Sequence, residues 1–243
     1  MAVKGSSTAA RVLVVFEAVA ANQPVGVAAL SRMLGMDKSA VQRALVTLSE
    51  QGWIQAREDQ MTRWETTVRI LNIAHSSRAK ADLRHTIQSV LEQLAAQTGE
   101  TAIFNEADGP RLVVSQVAES HQPLRMAPSI GALVPARDSA TGRILLPYLS
   151  EARQEELLGG PPDAAFRALL DACRARGFAA SSDVNAPAMT IAAPVFDVDG
   201  RPIGAVAISG PAERMQPDSH PRLAEQVCQA AKLLSGGAPR AAG

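Results

Sequence analysis

Cysteine is scarce in this 243-residue chain: Cys173 and Cys228 are its only two, far apart and in helix-like stretches. They form no CxxC pair and no disulfide framework, which fits a reducing cytosol and two small side chains buried as hydrophobes. Net charge is missing too, since 24 Lys+Arg balance 24 Asp+Glu. No stretch approaches the roughly 18 apolar residues of a membrane span. The N-terminus imitates a secretory signal, with Lys4, an apolar run at 12–16 and small residues at 18–21. Arg11 and Glu17 hold that run below the roughly 7–15 residues such a signal needs. The expectation is a soluble, cytoplasmic protein with no membrane partner.

Catalytic patterns are also lacking. The four histidines (His75, His85, His121 and His220) are scattered, without HExxH or other metal-ligand spacing. His75 and His85 read as exposed positions on a linking helix. Gly-x-Ser-x-Gly is absent, Ser209-Gly210-Pro211 has no partnering base nearby, and residues 201–210 supply no dinucleotide fingerprint. No catalytic residue, metal or cofactor is therefore expected, and the chain reads as something other than an enzyme.

What remains is a globular composition, 47% hydrophobic and 20% charged, long enough for two domains. The zero net charge hides an uneven distribution. Residues 1–80 hold ten Lys+Arg against six Asp+Glu, so that third is +4 and the remainder −4. A basic module joined to an acidic one directs attention to nucleic acid in the first third.

Val12, Val15, Phe16 and Val19 follow one helical face, with Ser6, Ser7 or Thr8 as cap and Asn22-Gln23-Pro24 as stop. Val27, Leu30 and Leu34 mark a short helix over about 27–34, ended by Gly35. Asp37 then caps a third helix with a buried stripe of Val41, Ala44, Leu45 and Leu48, terminated at Gly52. Two helices joined by a tight turn containing glycine form a helix-turn-helix. Residues 53–56 and 63–66 read as two strands around a polar tip, the wing of a winged helix. With the apolar stripe buried, Lys38, Ser39, Gln42, Arg43, Val46 and Thr47 face outward. Arginine pairs bidentately with guanine and glutamine with adenine, while lysine and serine reach phosphates. The third helix's N-terminus adds backbone donors for a phosphate. Lys38, Ser39, Gln42, Arg43 and Thr47, with Arg57 and Arg63 of the wing, are the candidate contacts to double-stranded DNA.

A connecting helix is expected over 67–81, leading into a longer one through Leu83, Ile87, Val90, Leu91 and Leu94 to Gly99. Apolar positions on the first and connecting helices also suit dimer contacts. Strands are expected at 101–104 and 112–114 around Asp108-Gly109-Pro110, and a third at 124–127. Helices follow at about 139–149, 151–158 and 163–176. Strands at 190–196 and 203–209 flank Asp199-Gly200, a hairpin cue, and a last helix spans about 218–234. Blocks of strands and helices without regular alternation imply an α+β fold with a largely antiparallel sheet. The expected domains are 1–66, a winged helix-turn-helix; 67–81, a linker helix; 82–235, a second domain; and 236–243, a disordered tail.

Four segments in order carry a family resemblance: Leu30-Ser31-Arg32-Met33-Leu34-Gly35-Met36-Asp37-Lys38-Ser39-Ala40-Val41-Gln42-Arg43, then Leu94-Ala95-Ala96-Gln97-Thr98-Gly99-Glu100-Thr101, then Leu124-Arg125-Met126-Ala127. The fourth, and most specific, is residues 191–200 followed by Ala207-Ile208-Ser209-Gly210-Pro211. The chain resembles the IclR-type bacterial transcriptional regulators over almost its whole length. That resemblance implies a C-terminal GAF-like effector-binding domain, and homodimers or dimers of dimers on palindromic operators. It also implies an effector held against the sheet among residues 128–134, the helix start at 137–143, and the strands bearing Thr190 and Ser209. On that basis Ser139, Ala140, Thr141, Thr190 and Ser209 are the expected polar or backbone contacts, and Met126, Ile130 and Leu133 the apolar wall.

The departures from the family pattern bear on the ligand. Arg137-Asp138-Ser139 and Gly142-Arg143 stand where the family commonly has His-Ala-Thr and Gly-Lys. Ala188-Met189 and Thr190 replace a frequent Gly-Val-x-Cys, and Ala207 replaces a serine. Fewer polar groups favour a small carboxylate, aromatic or otherwise partly apolar, from a catabolic pathway over a tiny oxoacid. The function expected is thus a ligand-responsive regulator of a catabolic operon, repressor or activator. The alternative is a GAF-type metabolic enzyme or sensor whose helix-turn-helix makes protein contacts only.

Overall fold

A computed structural model describes residues 6–57, 61–74, 78–182 and 187–236 of the chain, side chains at 74 and 78–81 excepted. The expected wing tip at 58–60, His75 and the middle of the linker helix, and the tail from 237 onward lie outside the described residues. The chain divides into two compact units, Met1–Ala81 and Asp82–Gly243.

The first unit opens with α1 (Ser7–Asn22), capped by the Ser6 hydroxyl, which accepts from the Ala9 N–H. Helix α2 (Val27–Leu34) ends where Gly35 takes φ +61°, a left-handed turn that glycine enters without Cβ strain. Helix α3 (Lys38–Glu50) follows at once, capped by Asp37. Val15, Val19, Leu30, Val41, Ala44, Leu45 and Leu48 are buried together with Ile54 and Trp64. Those last two are the inward residues of β1 (Ile54–Arg57) and β2 (Arg63–Thr66), an antiparallel ribbon. Val25 exchanges backbone hydrogen bonds with Trp64 and fastens the ribbon to the helices. The helix-turn-helix and both wing strands thus stand where the apolar periodicity puts them.

Helix α4 (Arg69–Ala74) and helix α5 (Arg78–Thr98) occupy the stretch expected to hold the linker and the longer helix. The first begins two residues late because Thr67 is spent on the wing. Its N–H donates to the Trp53 carbonyl and its hydroxyl to that of Gly52.

In the second unit β3 (Thr101–Asp108), β4 (Arg111–Ala118), β5 (Leu133–Val134), β6 (Ala179–Ser182), β7 (Ala188–Phe196) and β8 (Pro202–Pro211) form one six-stranded sheet. Its order is β5-β4-β3-β8-β7-β6 and every pairing is antiparallel. One face packs on α5 and on α9 (His220–Leu234), through Leu91, Phe104, Ile191, Ile208 and Val227. The other face carries α6 (Ala140–Leu145), through Leu112, Ala192, Ala205, Ala207 and Ile144. Helices α7 (Glu151–Leu158) and α8 (Ala164–Arg176) complete that side.

The structure corrects four expectations. Residues 124–127 form no strand. The Leu124 carbonyl accepts from Arg214 and the Met126 carbonyl from the Thr101 hydroxyl, so side chains hold groups that a ladder would have used. The edge strand is β5, later in the chain. The helix expected over 139–149 breaks after Leu145 into a single 3-10 turn at Leu146–Tyr148, where Pro147 has no N–H to continue the α pattern. Strand β6 was not foreseen, because Ala-Ala-Ser-Ser has little strand character. Gly236, placed in the tail, donates its N–H to the Phe196 carbonyl. Among the described residues, no helix is long and apolar enough to cross a membrane.

Candidate functional site

Two sites take shape, one in each unit. In the first, burial of Val41, Ala44, Leu45 and Leu48 leaves Lys38, Ser39, Gln42, Arg43, Val46 and Thr47 exposed on one side of α3. Asp37 controls the start of this helix: its carboxylate accepts from the Ala40 N–H at 2.8 Å and the Ser39 hydroxyl at 2.6 Å. These two bonds, the hydroxyl's first, hold the carboxyl below its ordinary value. The anion expected to meet the positive end of α3 therefore finds a carboxylate already there. Ser39 has given its only hydroxyl hydrogen to Asp37, and Thr47 donates its own to the Arg43 carbonyl at 3.0 Å. Neither hydroxyl is set to donate to a phosphate. Ser39 instead orients Arg43, accepting from its Nη1 at 3.2 Å.

In the wing, alternation along the ribbon turns Ile54 and Trp64 inward and Gln55, Arg57, Arg63 and Glu65 to the other face. Arg57 and Arg63 are cross-strand partners at the end of the ribbon where β1 leaves and β2 enters.

The second site is a cavity of about 300 Å³ on the α6 side of the sheet. Met126, Leu133, Ser139, Thr141, Thr190 and Ser209, six of the eight residues expected there, line it. Ile130 does not; its side chain is 70% exposed. Ala140 does not either, being fully buried in the packing of α6 on the sheet. Ser139 lines the cavity with a committed hydroxyl. It caps α6, accepting from the Gly142 N–H at 3.0 Å and donating to the Pro135 carbonyl at 2.6 Å.

The polar groups that remain have countable capacity. Thr190 and Ser209 share a hydrogen bond of 3.0 Å, so one of their two hydroxyl hydrogens is left over. Thr141 accepts from Asn105 Nδ2 at 2.9 Å and keeps its own hydrogen. Asn105, only 3% exposed, has no partner for its Oδ1. The cavity thus presents two hydroxyl donors and one unsatisfied carbonyl among Ile103, Val114, Met126, Leu133, Val134 and Ala207, and no charged side chain. Asn105, Ile103, Val114 and Ala207 were missed. The available signal was Asn105 itself, a polar residue inside the otherwise apolar start of β3. No group of three or more His, Cys, Asp or Glu suited to a metal occurs among the described residues.

Comparison with known proteins follows this division. A sequence profile described as the IclR helix-turn-helix domain matches residues 8–58, and one described as bacterial transcriptional regulator IclR C-terminal matches residues 75–236. The HTH-type transcriptional regulator BhcR of Paracoccus denitrificans is 28% identical over 244 residues, covering 95% of this chain and 87% of that protein. The transcriptional repressor IclR of Escherichia coli is 26% identical over 229 residues, covering 88% and 83%. An IclR homolog from Microbacterium hydrocarbonoxydans, solved in complex with 4-hydroxybenzoate, superposes with a TM-score of 0.79 at 20% identity, covering 94% of this chain and 98% of that one.

Proposed function

The chain belongs to the IclR family of bacterial transcriptional regulators, with a helix-turn-helix DNA-binding domain and a C-terminal effector domain; from that premise we propose how each part works. It is a regulator rather than an enzyme, as its relatives are. Residues 1–66 read operator DNA, 67–81 link, and 82–235 sense a small molecule in the cytoplasm. The observation that carries the DNA reading is α3, whose apolar stripe is buried while Lys38, Gln42 and Arg43 stand exposed along the opposite side. Arg43, held by Ser39, reads a base, Gln42 a neighbouring one, and Lys38, Arg57 and Arg63 meet phosphates. Ser39 serves by orienting Arg43, and Thr47, whose hydroxyl is bonded to the Arg43 carbonyl, contributes little direct contact through that group. The exposed apolar residues Leu13 and Val14 on α1, and Val68, Leu71 and Ile73 around α4, suit self-association, which a palindromic operator requires.

The sensed molecule is a small, partly apolar carboxylate of a catabolic pathway. Its carboxylate takes the hydrogens of Thr141 and of the Thr190–Ser209 pair, its body packs on Ile103, Val114, Met126 and Ala207, and a donor such as a hydroxyl reaches Asn105 Oδ1. A fold-mate holding 4-hydroxybenzoate supports the capacity of this architecture for an aromatic hydroxy acid.

Gel retardation on the duplex upstream of the protein's own gene tests the DNA reading. Arg43→Ala should lose about 1–3 kcal/mol on the preferred duplex and little on a random one. Lys38→Ala should weaken both alike and lower the salt slope by about one. Equal loss on both duplexes for Arg43→Ala would refute base reading.

A further inference from the structure

A second cavity lies at the edge of the same sheet, and its origin can be traced to one residue. Strand β7 pairs with β8 along its length, but β6 covers it only from Met189 to Ala192. At the far end the chain's last described residues take over: Ser235 Oγ accepts from the Phe196 N–H at 3.1 Å, and the Gly236 N–H donates to the Phe196 carbonyl at 3.1 Å. Between them sits Pro194, which has no N–H to leave unsatisfied where a strand edge is open. The gap is a cavity of about 640 Å³, bounded by the C-terminal ends of α8 and α9 and by the Tyr148–Phe196 edge-to-face pair. It shares no lining residue with the 300 Å³ cavity.

The chemistry of this cavity is one-sided. Its walls are apolar: Ala193, Pro194, Phe196, Ala231 and the ring of Tyr148. Its charged lining residues are Arg174, Arg176 and Lys232, and no carboxylate is among the described residues that line it. The arginines are held in place. Arg174 lies over the Tyr148 ring at 5.2 Å, and Arg176 Nε donates to the Phe178 carbonyl at 2.8 Å. All three cations sit in the last turns of their helices, where the dipole favours them. Two helix ends contribute only about −0.5 charge each, so the mouth keeps an excess of about two positive charges. Dipole compensation accounts for basic residues at a helix end; it does not account for three of them around one apolar cavity.

We propose that this edge cavity is a second ligand site, distinct from the effector cavity, for an amphipathic organic anion. The apolar body lies against Pro194, Phe196 and Ala231, and its acidic group meets Arg174, Arg176 and Lys232. The volume falls within the roughly 300–1,000 Å³ usual for small-molecule pockets.

Cys228 makes the site directly readable, because its thiol lines the cavity while Cys173, the only other one, is fully buried. The test uses the full chain and anilinonaphthalene sulfonate, an aromatic monoanion whose fluorescence reports binding. Alkylation of Cys228 by iodoacetamide is followed in parallel at mildly alkaline pH, because burial pushes that thiol's pKa up. Bound dye should shield Cys228 in step with its fluorescence, and the uncharged N-phenylnaphthylamine should not. Arg174→Gln with Lys232→Gln, both at exposed positions, should weaken the dye by about tenfold or more. Dye fluorescence without shielding of Cys228, equal shielding by the uncharged analogue, or unchanged affinity in the double variant would each overturn the proposal.

Discussion

Asn105 shows how much one residue can say about a site. Its side chain is buried on β3, with Nδ2 satisfied by Thr141 and Oδ1 by nothing. A buried unpaired carbonyl costs about 1–3 kcal/mol, a penalty that a ligand donor would remove. Thr141→Val should therefore destabilise the ligand-free protein by about 1–3 kcal/mol, since both ends of the Asn105 amide would then be unpaired. Asn105→Leu combined with Thr141→Val, which removes the orphan and both partners of the bond together, should be nearly neutral in the same measurement. Denaturant unfolding of the two variants decides: if Thr141→Val is the milder change, the Asn105–Thr141 pairing is wrong. Residue by residue, the amphipathic stripe of α3 was legible and the internal hydrogen bonds of its polar side were not. That Ser39 points at Asp37 and Thr47 at the Arg43 carbonyl depends on rotamers, which residue type and spacing leave open.

Among the elements, helices with a long apolar period were read closely. Helix α2 spans the stretch between its Gly26 and Gly35 boundaries, and α3 buries the four residues of its stripe. Short strands were read poorly, because what makes them strands is the partner rather than the segment. Strand β6 exists because β7 offers an edge, and residues 124–127, more strand-like in composition, found side-chain partners instead. The placement of α6 illustrates a determinant that no periodicity carries. At Gly142 an added Cβ would lie 1.8 Å from the Ala136 carbonyl oxygen, a backbone atom that cannot step aside. Helix and preceding loop touch there, and that contact sets Ser139 and Thr141 against the sheet. Removing the cap by Ser139→Ala should cost about 0.5–2 kcal/mol. Gly142→Ala should cost more, because it forces α6 off its seat rather than fraying one end; overpacking alone is typically about 1–3 kcal/mol. Thermal unfolding that ranks the two in the opposite order would remove the close approach as the reason for glycine.

At the scale of the whole chain, the zero net charge is the sum of a +4 first third and a −4 remainder. The two halves of the function make different demands on charge. DNA binding gains from releasing counterions, so it weakens steeply with salt. The 300 Å³ cavity has no charged lining residue, so an effector bound there as proposed would be held by hydroxyl hydrogen bonds and apolar contact, and its affinity should change little over the same range. Regulation requires the two to be coupled, and coupling has a thermodynamic signature independent of any structural route. If effector changes operator affinity by some factor, operator must change effector affinity by the same factor, typically about 5–150-fold. Effector titrations of the full chain, with saturating operator duplex and without it, should therefore differ by the factor that gel retardation gives with and without effector. That factor should persist as salt lowers operator affinity, provided the duplex is kept saturating. Identical effector affinities in the presence and absence of operator would mean that the sensing unit and the DNA-reading unit act independently, and the chain would then bind both ligands without regulating anything.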